Sequence, residues 1–289
     1  MLLGAWLTLA SSSPVSTIVI EYPNGTRSGD LRNGPWIYTA SEPGGIRGQV
    51  GNLVILADKA VLEAPKGLSM QSAEGQRTAT FEGSVVVRRG RVEARGTRLV
   101  YRESSGKGTL SGPVTMEQRP ERADEDTVIL KADAITFNVN TDTSESRGNV
   151  HLTSGDQEGF ADEVYYEEDR ALAIFTSSSG KVRLIRHRDE GDLRIEGGEA
   201  RLLVREKALI VLGGVTLKDG ELVTRGDALY YDDKTGRAIV VGSPATSRDE
   251  AKGRSLSAGT LLHDVIKHRV RLYGKAFELP LDRFARQGD

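Results

Sequence analysis

Apolar and polar residues alternate along this chain in short runs with a period of two. Val85 and Val87, Val114 and Met116, Val150 and Leu152, Val182 and Leu184, and Val215 and Leu217 are pairs of this kind, with Val, Thr, His or Arg between them. Spacing by two places both members on one face of a strand. A half-buried antiparallel sheet gives this alternation. No window sustains a 3.6-residue period with caps, and "DRALAIF" is helix-friendly over seven residues only. Turn chemistry is abundant in "ESSGKG", "DKTG", "RRGR" and "LKDGE". The pattern predicts strands from one end to the other.

The alternation is punctuated by a repeat. Gly-x-Val/Ala recurs at Gly48, Gly83, Gly112, Gly148, Gly180, Gly213 and Gly274, with a degenerate "GSPA" at Gly242; the steps are 35, 29, 36, 32, 33, 29 and 32 residues. A second mark follows each glycine: a small residue, often an acid, and then two larger side chains two apart. Examples are "KADAITF" (Ile135/Phe137), "FADEVYY" (Val164/Tyr166) and "TRGDALYY" (Leu229/Tyr231). Each unit reads as about two short strands, so eight units give roughly sixteen, and stacked neighbours bury a shared apolar face. The acids Asp58, Asp133, Asp162 and Asp227 fall one per unit, which assigns them a turn or edge role. Such a repeat closes either as a dry sandwich or as a splayed apolar trough.

Composition narrows the functional classes. Of 289 residues, 28% are charged and 6% aromatic, with 33 glycines against 9 prolines. That is too polar for a membrane barrel and too regular for disorder. The net charge of −2 gives no argument for nucleic acid, and the basic strip "VRLIRHR" (Val182 to Arg188) reads as a solvated strand face. The absence of cysteine excludes disulfides, thiolate metal sites and a cysteine nucleophile. Four scattered histidines form no metal-ligand motif, and His263 and His268 read as surface or strand residues. "HRD" at His187 lacks its kinase companions, and "SGKGTLSG" has the wrong spacing for a phosphate loop and reads as a hairpin turn. The expectation is no enzyme, no metal and no cofactor. Residues 1–13, with the apolar stretch "MLLGAWLTLA", are expected to be a signal peptide or N-terminal tail, which implies export. Residues 14–289 are expected to form the folded part, as one domain or two stacked lobes.

The unit G-x-V-x-[LV], a gap, then A/G-D-x-[AVIL]-x-[YFL] and an acidic turn resembles the repeat of the OstA-like family, the LptA group of lipopolysaccharide transport proteins with the related LptC and the N-terminal domain of LptD. "GDALYYDDKTGRAIVVG", "ADEVYYEEDRALAIFT" and "ARGTRLVYRESSGKGTLSG" carry it best, and the pattern runs from Gly48 to Leu279. The resemblance implies a periplasmic, all-β, repeat-built antiparallel β-jellyroll, V- or U-shaped, with an apolar groove for the acyl chains of lipopolysaccharide or a related glycolipid. It also implies other Lpt-type β-jellyroll proteins of the inner and outer membrane as partners. The inward positions that match are Val85, Val87, Leu99, Ile135, Val150, Leu152, Val164, Val182, Leu184, Val215, Leu217 and Leu229. The alternatives are a self-assembling β-solenoid with a closed core and no lipid, and a carbohydrate-active β-helix enzyme. Edge strands template pairing, so "TIVIEY" (Thr17–Tyr22) is expected to pair end to end with Arg269 to Phe277 of a second copy. Pro280 is expected to limit the last strand, and removal of Lys275 to Asp289 to leave a folded monomer that no longer oligomerises or bridges.

Overall fold

The computed structural model describes residues 16–122, 126–178 and 180–287. The signal-peptide or tail segment expected at 1–13 lies outside the described residues. Within them the chain is an antiparallel meander in which each pass pairs with the one before and the one after. Five passes are broken in two: β1 (Val19–Glu21) with β2 (Thr26–Ser28), β3 (Trp36–Thr39) with β4 (Ile46–Val50), β5 (Leu53–Ala57) with β6 (Lys59–Glu63), β13 (Leu172–Thr176) with β14 (Val182–Arg186), and β15 (Leu193–Gly197) with β16 (Glu199–Leu203). Six continuous passes fill the middle: β7 (Thr78–Arg89), β8 (Val92–Arg102), β9 (Lys107–Gln118), β10 (Val128–Asn138), β11 (Thr143–Ser154) and β12 (Gln157–Glu167). Four more follow, β17 (Ala208–Asp219), β18 (Leu222–Asp232), β19 (Arg237–Asp249) and β20 (Arg254–Asp264), and the last is the short β21 (Arg269–Leu272). The 21 strands of the sheet are therefore sixteen passes, five broken, ten continuous and one short. The expected count holds, but the strands are not short: the continuous passes run 11–13 residues, straight through the glycine marks.

Those marks are bends. Between β7 and β8, Glu82 pairs with Arg98 and Val85 with Gly96, so Gly83 and Ser84 oppose Thr97 alone. The same two-against-one count recurs where Gly148 and Asn149 oppose Asp162. An extra residue bends its strand and sharpens the twist. Each bulged pass is flanked on both sides by passes without the extra residue, and these supply the second sequence mark. Asp58 accepts the backbone N–H of Ser84 at 3.0 Å and of Gly44 at 2.7 Å. Asp162 accepts Ser178 N at 2.8 Å, and Asp227 accepts Ser243 N at 3.2 Å. The backbone donors of Ser84 and Gly44 hold the Asp58 carboxyl below its ordinary range. Glycine is needed at the bulge twice over at Gly148: φ is +76°, and a Cβ there would lie 2.1 Å from Asp133 Oδ2. Asp58, Asp162 and Asp227 thus satisfy backbone donors beside the bends, while Asp133 accepts the Asn149 side-chain amide at 3.1 Å. Asp133, Asp162 and Asp227 lie mid-strand opposite the bends, in place of the turn or edge position expected of them. Gly48 and Gly274 do not belong to this line. Gly48 sits inside β4 beneath the Phe81 ring, and Gly274 follows the last strand.

Bending every pass folds the sheet into two leaves. The first halves of β7, β9, β11, β17 and β19, with the second halves of β8, β10, β12, β18 and β20, form one leaf, called here leaf B; the remaining halves form leaf A. Their facing side chains make one apolar cluster from Ile18 to Val265. A second, smaller cluster lies on the other face of leaf B, where Tyr165, Ile174, Ile210 and Leu203 are covered by the C-terminal segment. That segment does not continue as a strand after Leu272. It crosses back over leaf B through a short 3₁₀ turn, Leu281–Phe284, and Phe284 is fully buried. Arg170 donates to the carbonyls of Ala285 (2.7 Å) and Arg283 (2.9 Å), and Arg201 to that of Phe284 (3.0 Å). Removing residues 275–289 would therefore strip an apolar patch, a cost that the expectation of a folded monomer lacking only its end-to-end contact does not contain. The last strand ends eight residues before Pro280, so the proline is not what stops it. The edges themselves are as expected: β1 pairs only with β4, and β21 only with β20.

Candidate functional site: the interior between the leaves

Strand register sorts the twelve candidate residues into three rows. On leaf B, Phe81, Leu99, Leu110 and Ile135 are successive partners, then Ser146, Val164, Phe175 and Ala200, then Val211, Leu229, Val240 and Leu261. Leu99, Ile135, Val164 and Leu229 belong to this row. On leaf A, Val87, Ala94, Met116 and Leu130 lead to Leu152, Gly159, Leu184, Ile195 and Leu217. Val87, Leu152, Leu184 and Leu217 belong there. Val85, Val150, Val182 and Val215 form the third row, beside the bend, where their partners are the small residues Gly96, Ala161, Gly197 and Gly226. All twelve side chains join the one interior cluster. Ten are buried, while Leu152 and Leu184 are half-exposed.

Exposure within the interior is uneven. Met116, Leu152 and Leu184 at the rim of leaf A, and Phe137, Tyr166 and Leu202 at the rim of leaf B, pack on the cluster yet keep part of their surface in water. They lie on passes β9 to β16. Burial pushes the Tyr166 hydroxyl up from its ordinary range. Toward the C-terminus the leaf A row turns polar. Leu217 is followed by Thr224 and Ser247, and His263 reaches in from leaf B to meet them. Thr224 Oγ1 donates to Ser247 Oγ at 2.9 Å and lies 2.9 Å from His263 Nδ1; His263 Nε2 lies 3.1 Å from Asp219 Oδ2. Arg188 and His268 also reach Asp219, at 2.5 and 3.1 Å. The side chains of Asp219 and His263 are wholly excluded from water. Burial alone would raise the Asp219 carboxyl, but hydrogen bonds from His263 and Arg188 outweigh it and hold it below its usual range. This group fastens leaf A to leaf B.

Other ion pairs cross the same opening. Arg89, at the leaf A end of β7, reaches Asp142 and, at 3.4 Å, Glu168, both in turns at the leaf B rim. Arg186, at the leaf A end of β14, holds both carboxylate oxygens of Asp233 in the turn between β18 and β19, one at 2.8 Å. At the N-terminal end Glu103 accepts the Ile18 N–H at 2.9 Å and pairs with the buried Arg77. The Arg89, Arg186 and Ile18 bonds each join a pass of leaf A to a rim several passes further along leaf B, the offset that twisted, packed sheets produce. Arg77 and Glu103 instead flank the adjacent passes β7 and β8 on the leaf B rim. The strip "VRLIRHR" is therefore not a solvated face: Arg183 lies over the Phe160 ring, Arg186 is tied across the leaves to Asp233, and Arg188 is bound to Asp219 at the same end of leaf A. His263 is a strand residue as expected, though a buried one.

An antiparallel, bent β sandwich built on a two-pass repeat, with a continuous apolar interior, is the class that these features define. Residues 44–143 match the family described as LptA/(LptD N-terminal domain) LPS transport protein, about a third of the chain. The bulge line on which the sequence resemblance rests continues well past that segment, to Asp227 and Ser243. Among solved structures, the chain is similar to LptH, the LptA-homologous periplasmic component of the lipopolysaccharide transport device of Pseudomonas aeruginosa, with 17% identity, a TM-score of 0.38, and coverage of 47% of this chain and 95% of that one. No curated protein matches the sequence. Among the described residues no helix is long and apolar enough to cross a membrane, and no cluster of His, Asp and Glu could hold a metal ion.

Proposed function

We propose that this protein is a periplasmic carrier, without enzymatic activity, that shields the acyl chains of lipopolysaccharide or a related envelope glycolipid on the way to the outer membrane. The observation that carries the reading is the single apolar cluster shared by the two leaves, from Ile18 to Val265, with its half-exposed rim at Met116, Leu152 and Leu184. Each methylene sheltered there is worth about 0.8 kcal/mol, so shielding needs no chemistry. The match of residues 44–143 to a transport family supports it. Other β-jellyroll transport proteins at each membrane are the proposed partners, joined through the edge strands β1 and β21. The full burial of Leu99, Leu217 and Leu229 favours a second reading, a closed structural solenoid. Mass spectrometry of lipids copurified from the native host separates the two. Stoichiometric acylated lipid supports the carrier, and protein free of lipid supports the solenoid. Light scattering across a concentration series, with crosslinking, tests the end-to-end contact.

A further inference from the structure

We infer that the cross-leaf ion pairs Arg89 to Asp142 and Glu168, and Arg186 to Asp233, form a latch that must open before an apolar chain reaches the interior. The inference rests on the carrier reading and specifies how the site is regulated. Its basis is placement. Both arginines end strands of leaf A, and their carboxylates sit in turns of leaf B. Of the half-exposed residues, Met116 and Leu152 occupy leaf A passes between the two arginines, while Leu184 shares β14 with Arg186. A bound chain must part the rims at that stretch, because the rows behind it are already filled by Val150, Val164 and Phe175, all buried.

The two pairs differ from the fastening at Asp219. There the carboxylate and His263 are wholly buried and bound by several partners, so the leaves stay joined. Arg89 and Arg186 keep about a quarter of their side-chain surface in water, 27% and 25%, and Asp142 and Asp233 keep 38% and 21%. A separated pair at that exposure is rehydrated, which makes opening reversible. The geometry gives a hinge fastened at the C-terminal end and latched in the middle. An open form that is a minor state reduces apparent affinity by its own population, so weakening the latch raises the rate and the affinity together.

The test uses the full chain and cis-parinaric acid, a fluorescent long-chain fatty acid, in stopped-flow and equilibrium titrations. Arg89→Gln with Arg186→Gln is expected to raise the association rate about tenfold and tighten binding. The exchanged pair Arg186→Asp with Asp233→Arg is expected to return to the wild-type rate. Because the chain has no cysteine, Arg186→Cys with Asp233→Cys joined by a short bismaleimide should slow uptake at least tenfold against the unjoined double variant. Circular dichroism confirms that each variant is folded. Binding by all forms at one rate overturns the latch and leaves the carrier standing. Binding by the latch variants but not by wild type supports the latch in its strongest form. No binding by any form, the unlatched variant included, overturns the carrier reading and the latch with it.

Discussion

The middle of the molecule and its C-terminal third are built from the same two-pass unit, yet they treat the space between the leaves differently. From β9 to β14 the leaf A row is Met116, Leu130, Leu152, Gly159 and Leu184, apolar and half-wet at three positions. From β17 to β19 it is Leu217, Thr224 and Ser247, fully buried and bolted to leaf B through His263 and Asp219. The difference teaches that the bend is set by the repeat, whereas the grip between leaves is set by what each unit places on its rim. A shared fold therefore carries a half-wet rim in one section and a buried bond between the leaves in the other.

The sharpest way to break this comparison is to put a charge into each section. Leu217→Asp or Leu229→Asp buries a carboxylate with no partner and is expected to cost more than about 4 kcal/mol, enough to unfold the protein. Leu152→Asp, at the half-wet rim, is expected to cost under about 1.5 kcal/mol and to abolish fatty-acid binding. Urea titrations decide both, and equal costs would show that the two sections are alike. Next in size is Asp219→Ala, which strands Arg188 and His263 and should cost about 3 kcal/mol. Arg89→Gln in the middle should cost no more than about 1 kcal/mol.

A smaller effect tests the bend common to both sections. Gly148→Ala should lose roughly 1–3 kcal/mol, because φ is +76° and the new methyl meets Asp133. Adding Asp133→Ala should restore part of the loss by removing the clash while the backbone strain remains, an interaction visible in a double-mutant cycle. Acid should have the mildest onset. Asp219 and Asp233 are both pushed up by burial but held below the usual carboxylate range by their donors, His263 with Arg188 and Arg186 respectively. A depressed folded pKa contributes stability above the unfolded value, about 3.9, that is lost as pH falls through the folded one. The urea midpoint should therefore decline below about pH 4, and less steeply in Asp219→Asn and Asp233→Asn than in wild type.

The strands, their number and the inward faces were legible because period two and the glycine spacing are local signals. The recurrence of Asp58, Asp162 and Asp227 once per unit was legible, but it reads as a turn or edge position, because nothing local shows that a mid-strand acid faces a bend in the next pass. What the sequence alone did not yield is whatever depends on leaf B lying over leaf A. Arg186 and Asp233 are 47 residues apart, and nothing local marks them as partners. Arg186 and Arg188 alternate with His187 like any exposed face, and only the packing of one leaf on the other brings Arg186 to Asp233. The half-wet state of Leu152 against the burial of Leu217 is likewise invisible, because both occupy the same place in the repeat. The C-terminal fold-back was missed for a related reason: "KAFELPLDRFARQ" has no period, and Phe284 finds its pocket only on the outside of an assembled leaf.

The alternation of bulged and unbulged passes bears on how such a chain changes length over time. Each bulged pass needs an unbulged neighbour on either side, as Gly148 and Asn149 lie between Asp133 and Asp162. Gaining or losing a single pass would set two bulged strands side by side, or two unbulged ones, and the apolar row would stop at the fault. A duplication or deletion of two consecutive passes, about 32 residues of chain as between Gly148 and Gly180, joins like to unlike and keeps both rows unbroken. Inheritance of length in this architecture is therefore quantised in pairs, and relatives of different span should differ by whole pairs, with the partial remainder confined to the two ends.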